Sequence, residues 1–166
     1  MPGTMRMLCR IGALGLALLL AGCKKEQSRW EAAQDATEGK RTSVAQQAVD
    51  GSVFNQFFPK QGEGFNIVFK QEKSGFAQAS LQQDGRELAV FSIFDTVSNP
   101  EARSKYGDSG EQIAGYPVVT DETRSLSALV RNRFQVQVRS IDTGFGDSDR
   151  KEWLEKFDLT GISEIE

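Results

Sequence analysis

Four carboxylates, Asp142, Asp147, Asp149 and Glu152, crowd around Gly144 and Gly146, an oxygen-rich set of the kind that holds calcium. Their spacing departs from the EF-hand loop, and a helix opening in this stretch already uses Asp147 or Asp149 as a cap. Glu72, Asp84 and Asp95 fall near strand ends, where a general acid and a general base can be paired. Asp84 is better explained by an Asp84-Gly85 turn, and no spacing brings the three together. Gly62-Glu63-Gly64 lacks both the preceding strand and the Lys-Ser/Thr ending of a phosphate loop. The chain has no histidine at all, so a Ser-His-Asp triad, a Cys-His pair, a His-ligated zinc and a His-ligated haem are out of reach. Together these residues predict a protein that is not an enzyme and that uses no metal or cofactor.

Binding is the better-supported chemistry. Arg131, Arg133, Gln135, Gln137 and Arg139 alternate with Phe134, Val136 and Val138, the period of two of a strand. Arginines and amides then line one sheet face, joined by Gln78, Ser80 and Gln82 from an earlier strand. Such a face suits an anion, a carbohydrate or a protein edge. A solvated face that blunts aggregation accounts for the same residues. The candidate contact face is therefore Arg131, Arg133, Gln135, Gln137 and Arg139. Phe54, Phe57 and Phe58 make a second cluster, read as a staple onto the following sheet or as an exposed apolar patch.

The start of the chain carries the most specific signal. Arg6 and Arg10 precede an apolar run from Ile11 to Leu20, and Leu20-Ala21-Gly22-Cys23 follows. The arginines favour the cytoplasmic side, and small residues before Cys23 leave a peptidase room to approach. A run of about ten apolar residues is too short to cross a bilayer of ~30 Å as a helix. The segment resembles the signal peptide and lipobox of bacterial lipoproteins. That resemblance implies a diacylglyceryl group on the Cys23 thiol and cleavage that leaves Cys23 first in the mature chain. Two acyl chains hold a protein stably on a membrane where one is marginal. The expected organisation is a signal peptide over 1–22, a lipidated Cys23 and short tether over 23–27, and one domain over 28–166, facing the periplasm or the exterior.

Charge and thiol content narrow the partners. Loss of residues 1–22 removes two arginines and no acid, so 20 basic and 23 acidic residues become 18 and 23, a net charge of −5. A mildly acidic domain lacks the basic field that nucleic acid demands. Cys9 leaves with the signal peptide, so no disulfide framework remains.

The elements that position these residues follow from periodicity. Ser28 with Glu31 reads as a capping box for a helix to about Thr37, and 42–49 as a second helix ending near Gly51. Residues 65–70, 76–83 and 87–94 alternate as three strands joined by turns at Lys73-Ser74-Gly75 and Asp84-Gly85, an antiparallel meander. Asn99 caps a short helix with Pro100 at its first position and Gly107 just past its end. Residues 112–119 form a strand with an edge or bulge at Gly115 and Pro117; 126–130 and 133–141 form a hairpin across Arg131-Asn132. A last helix over 150–157, capped by Asp149 with Glu152 at its third position, offers Trp153, Leu154 and Phe157 to the core. The fold class expected is α+β, an antiparallel sheet of five or six strands with helices packed on one face.

Strings such as Gln71-Glu72-Lys73-Ser74-Gly75-Phe76-Ala77, Gly115-Tyr116-Pro117 and Phe134-Gln135-Val136-Gln137-Val138-Arg139-Ser140 resemble small uncharacterised lipoproteins of cyanobacterial type. That resemblance implies no activity and no site residue. The functional expectation is a lipid-anchored envelope protein, a non-enzymatic protein-binding or scaffold module, held at the membrane by Cys23 and partnered by another envelope protein. The alternative is a carrier of an apolar small molecule or lipid in a cleft between sheet and helices, with Phe54, Phe57 and Phe58 at its mouth.

Overall fold

The computed structural model describes residues 47–166 apart from residue 63. The signal peptide, Cys23, the tether and the helix over 28–37 lie outside the described residues, as does most of 42–49. Residues 48–50 carry no helix, and the first helix, α1 (Gly51–Phe54), begins where one was expected to end. Asp50 caps it, its carboxylate accepting from the Ser52 N–H.

Among the described residues the fold is mostly β, a single open antiparallel sheet of seven strands with a few short helices. In chain order these are β1 (Phe65–Lys73), β2 (Phe76–Gln83), β3 (Arg86–Asp95), β4 (Gln112–Ile113), β5 (Tyr116–Asp121), β6 (Ser125–Val130) and β7 (Phe134–Ser140). Their spatial order is β1-β2-β3-β7-β6-β5-β4. The meander and the β6–β7 hairpin stand as expected from alternation. The count exceeds five or six because 112–119 is two strands: Ala114 and Gly115, at φ 51° and 84°, turn the chain back between β4 and β5.

One face of the sheet holds the core. Ala77, Ala79 and Leu81 of β2, Phe91 and Ile93 of β3, and Val136 and Val138 of β7 are fully buried there. Phe54, Phe57 and Phe58 pack among them, so the aromatic cluster is interior. The Phe54 ring meets Phe134 edge-on at 5.9 Å, and Phe58 lies 5.3 Å from both Phe69 and Phe157. Two more helices, α2 (Asp147–Glu155) and α3 (Leu159–Ser163), add Trp153, Leu154, Leu159 and Ile162, and Phe157 joins them from the link.

The helices do not form a layer on one face alone. The segment after Asn99 is a 3₁₀ helix (Pro100–Tyr106) rather than an α-helix, and it sets Tyr106 over the opposite face, where its hydroxyl donates to Ser127 Oγ at 2.8 Å. Only Tyr106 of its seven residues is buried, so there is no apolar stripe to drive an α-helix. Gly107 is right-handed at φ −61°, and the expected left-handed stop is absent there. Helix α2 also starts earlier than expected: Gly146 is its N-cap and Asp149 stands at the third position. The Asp149 carboxylate reaches back to accept from the Gly146 N–H at 2.7 Å, the half of a capping box a side chain at that position can supply.

Candidate functional site

The residues expected to make one contact face divide into two groups. Arg133 is committed to the interior. Its Nε and Nη2 grip the two Asp95 oxygens at 3.0 and 2.8 Å, a bidentate fork onto a carboxylate whose side chain is wholly buried. Asp95 also accepts from the Val49 N–H and the Val97 N–H, both at 3.1 Å, so four donors saturate it. Burial pushes the Asp95 carboxyl up, but the Arg133 and backbone hydrogen bonds and the Arg133 charge outweigh it and hold it below the usual carboxylate range. Arg133 Nη2 also donates to the Gln47 carbonyl at 3.0 Å, and the Gly75 N–H donates to the Val49 carbonyl at 2.6 Å. This cluster fastens the first described residues to the end of β2, β3 and β7.

Arg131 is likewise engaged. It sits in the β6–β7 turn at φ 51°, as does Asn132, and donates through Nη1 to the Ile165 carbonyl at 2.6 Å. Its guanidinium therefore holds the C-terminal end against the hairpin.

Gln135, Gln137 and Arg139 do lie together on the face away from the core, half-buried. Register places them in cross-strand rows. Gln78, Ser92, Gln137 and Ser127 are successive partners across β2, β3, β7 and β6. Phe76, Phe94, Gln135 and Leu129 form the neighbouring row. Gln137 donates to Ser125 Oγ at 3.0 Å, and Ser125 donates to Asp121 Oδ2 at 2.6 Å. The Gln135 amide and the Arg139 guanidinium make no side-chain hydrogen bond or ion pair among the described residues. Among the described residues this face is closed over β5 and β6 by Tyr106 and open over β2, β3 and β7. A groove of about 500 Å³ runs along the open part, lined by Lys73, Phe76, Phe94, Ser92, Gln135 and Gln137 and backed by Asp95. The aromatic half of this groove was missed by reading Phe76 and Phe94 as strand-formers only. The direct opposition of two rings is a matter of register, which alternation within a strand does not reveal.

The other candidates do not assemble. Glu72 accepts from Asn55 on the sheet edge, Asp84 occupies the β2–β3 turn at φ 50°, and Asp95 is at the far end of β3. Asp142 accepts from the Gly144 N–H, Asp147 pairs with Arg150, and Glu152 pairs with Lys156, so each acid around Gly144 and Gly146 answers to a protein donor. Among the described residues no three such groups converge as metal ligands.

A second cleft of about 640 Å³ lies between the Phe58–Gly62 segment and the end of α2. Phe58, Pro59 and Trp153 give it an apolar floor, and Lys60, Lys156 and Asp158 a rim of mixed charge in which Lys156 is paired with Glu152. Phe54 and Phe57 are in the core and do not reach its mouth. Among the described residues no helix is long and apolar enough to cross a membrane. Comparison with known proteins yields no family model, no curated protein and no solved structure similar to this chain.

Proposed function

We propose that this chain is a lipid-anchored, non-enzymatic binding or scaffold module of a bacterial cell envelope, tethered through Cys23 and engaging another envelope component with its open sheet face. The anchor rests on the Leu20-Ala21-Gly22-Cys23 box behind a charged and then apolar start. The observation that supports the binding role is the open polar face around Gln135 and Gln137, beside the cluster that fastens the tethered end. An anchor there raises the effective concentration of the face beside membrane neighbours. The contact face is narrowed to Gln135, Gln137 and Arg139, since Arg131 and Arg133 serve internal contacts.

Expression of the full chain with and without Cys23→Ser tests the anchor. Wild type is expected in the membrane fraction with a diacylglyceryl mass on its N-terminal cysteine, and C23S in the soluble fraction; an unmodified wild type overturns the reading. The 640 Å³ cleft supports a second reading, a carrier of a lipid or other apolar molecule. Stoichiometric lipid extracted from purified protein, and lost on Lys60→Glu with Lys156→Glu, favours that reading over the first.

A further inference from the structure

We propose that the groove at the Phe76–Phe94 end of the open sheet face binds a neutral saccharide, which stacks its C–H face on Phe94 and hydrogen-bonds through its hydroxyls to Gln135, Ser92 and Gln137. The inference rests on the reading of this face as the binding face and narrows what occupies it.

Three features of the groove select the ligand. The first is its apolar strip. Phe76 and Phe94 are direct cross-strand partners, so their β-carbons stand about 4.5–5.5 Å apart, and both side chains line the groove. Lys73 Nζ lies 5.1 Å from the Phe76 ring centre, which leaves Phe94, without a ring or cation contact among the described residues, as the platform. The second is the adjoining polar strip. Gln135 is the direct partner of Phe94, and its amide offers two donors and an acceptor that no described residue uses. Ser92 and Gln137 continue the strip one row along; Ser92 is buried and donates to Gln137 at 3.5 Å, and Gln137 donates to Ser125, so each has only its remaining capacity for a ligand. The third is low charge. Asp95 backs the groove but is saturated by its four donors, and Arg133 is folded onto it, so among the described lining residues Lys73 is the one open charge.

Other ligand classes leave these features unmatched. A purely apolar molecule covers the Gln135 amide without satisfying it, at the cost of a buried polar group. A peptide strand cannot add to the sheet here, since β2, β3 and β7 are interior strands whose backbone groups are paired on both sides. An anion finds one exposed lysine and no convergent donors of positive charge. A pyranose has the required combination, an apolar ring face bordered by neutral hydroxyls that both donate and accept. The volume of about 500 Å³ falls in the range of small-molecule sites, roughly 300–1,000 Å³.

The test uses the full lipidated chain in a detergent that has no sugar headgroup, titrated calorimetrically with chitotetraose, cellotetraose and maltotetraose. Saturable binding of at least one is expected. Phe94→Leu and Gln135→Met, each small enough in effect to retain the wild-type melting transition, are expected to weaken it about tenfold or more. Lys60→Ala, in the other cleft, is expected to leave it unchanged. Absence of saturable binding for all three sugars, or binding indifferent to both groove variants, overturns the proposal. A photo-crosslinking residue at position 135 in cells separates the two levels of inference. Adducts to an envelope protein without any sugar binding overturn the saccharide and keep the binding face; absence of any adduct together with absence of sugar binding overturns both.

Discussion

Asp95 and Arg133 carry more of the local structure than any other charged pair among the described residues. Removing the arginine leaves a buried carboxylate with only two backbone donors, a change of about 3–5 kcal/mol for pairs of this kind, reduced here because Arg133 is partly exposed. Arg133→Met is therefore expected to lower stability by a few kcal/mol, while Arg139→Met, on the open face without a partner among the described residues, changes it by about 0.5 kcal/mol or less; chemical denaturation of both checks the contrast. The same carboxylate sets an acid limit. Its folded pKa lies below the unfolded value of about 3.9, so its contribution is fully present above that value and disappears as pH falls through the folded pKa. Asp95→Asn is expected to flatten the loss of stability below about pH 4 while lowering the plateau at neutral pH. Tyr106 is the mirror case. Burial raises its hydroxyl to about 12, so it stays a donor to Ser127 throughout the range in which the fold is handled.

At the scale of elements, the close approach of α1 to the first hairpin is the tightest constraint. A β-carbon at Gly51 would stand 2.4 Å from the backbone carbonyl oxygens of Lys73 and Phe76, which cannot rotate away. Gly51→Ala is expected to displace α1 and expose Phe54, with a loss comparable to a large core truncation, about 3 kcal/mol or more, whereas Gly110→Ala meets open space and is neutral by thermal melting. Much of this level was legible beforehand. Strands β1, β2, β3, β6 and β7 followed from alternation and from turn residues such as Asp84-Gly85, and the burial of Trp153, Leu154 and Phe157 from their helical spacing. The departures have local causes. Ala114 in a left-handed conformation carries no sequence signal, so β4 and β5 read as one strand. The run Pro100–Tyr106 matched the start and stop residues of a helix but lacked an apolar stripe to hold one. The contact face was legible as a row, yet its arginines were read as outward because strand alternation is silent about the turn residues Arg131 and Arg133, whose direction depends on Ile165 and Asp95 far along the chain.

For the whole molecule, the open sheet has unequal ends. One edge, β4, is two residues long; the other, β1, runs for nine, with Val68 and Phe69 partly exposed. A long unpaired edge invites pairing between chains, and β1 blunts it with an irregularity between Phe69 and Gln71 and with Lys70 and Lys73. Lys70→Val with Lys73→Val is expected to promote self-association that light scattering detects, without lowering the unfolding midpoint. The fastening cluster gains a mechanical meaning if the protein is held at a membrane, as proposed. With Cys23 anchored and the open face engaged as proposed, a pull that reaches Gln47 and Val49 meets the described strands there. It is received there by Gly75, Asp95 and Arg133, at the end of three adjacent interior strands. Load arriving there is thus shared across the middle of the sheet instead of peeling β1 from its edge, and among the described contacts the bond between Arg133 and the Gln47 carbonyl meets it first.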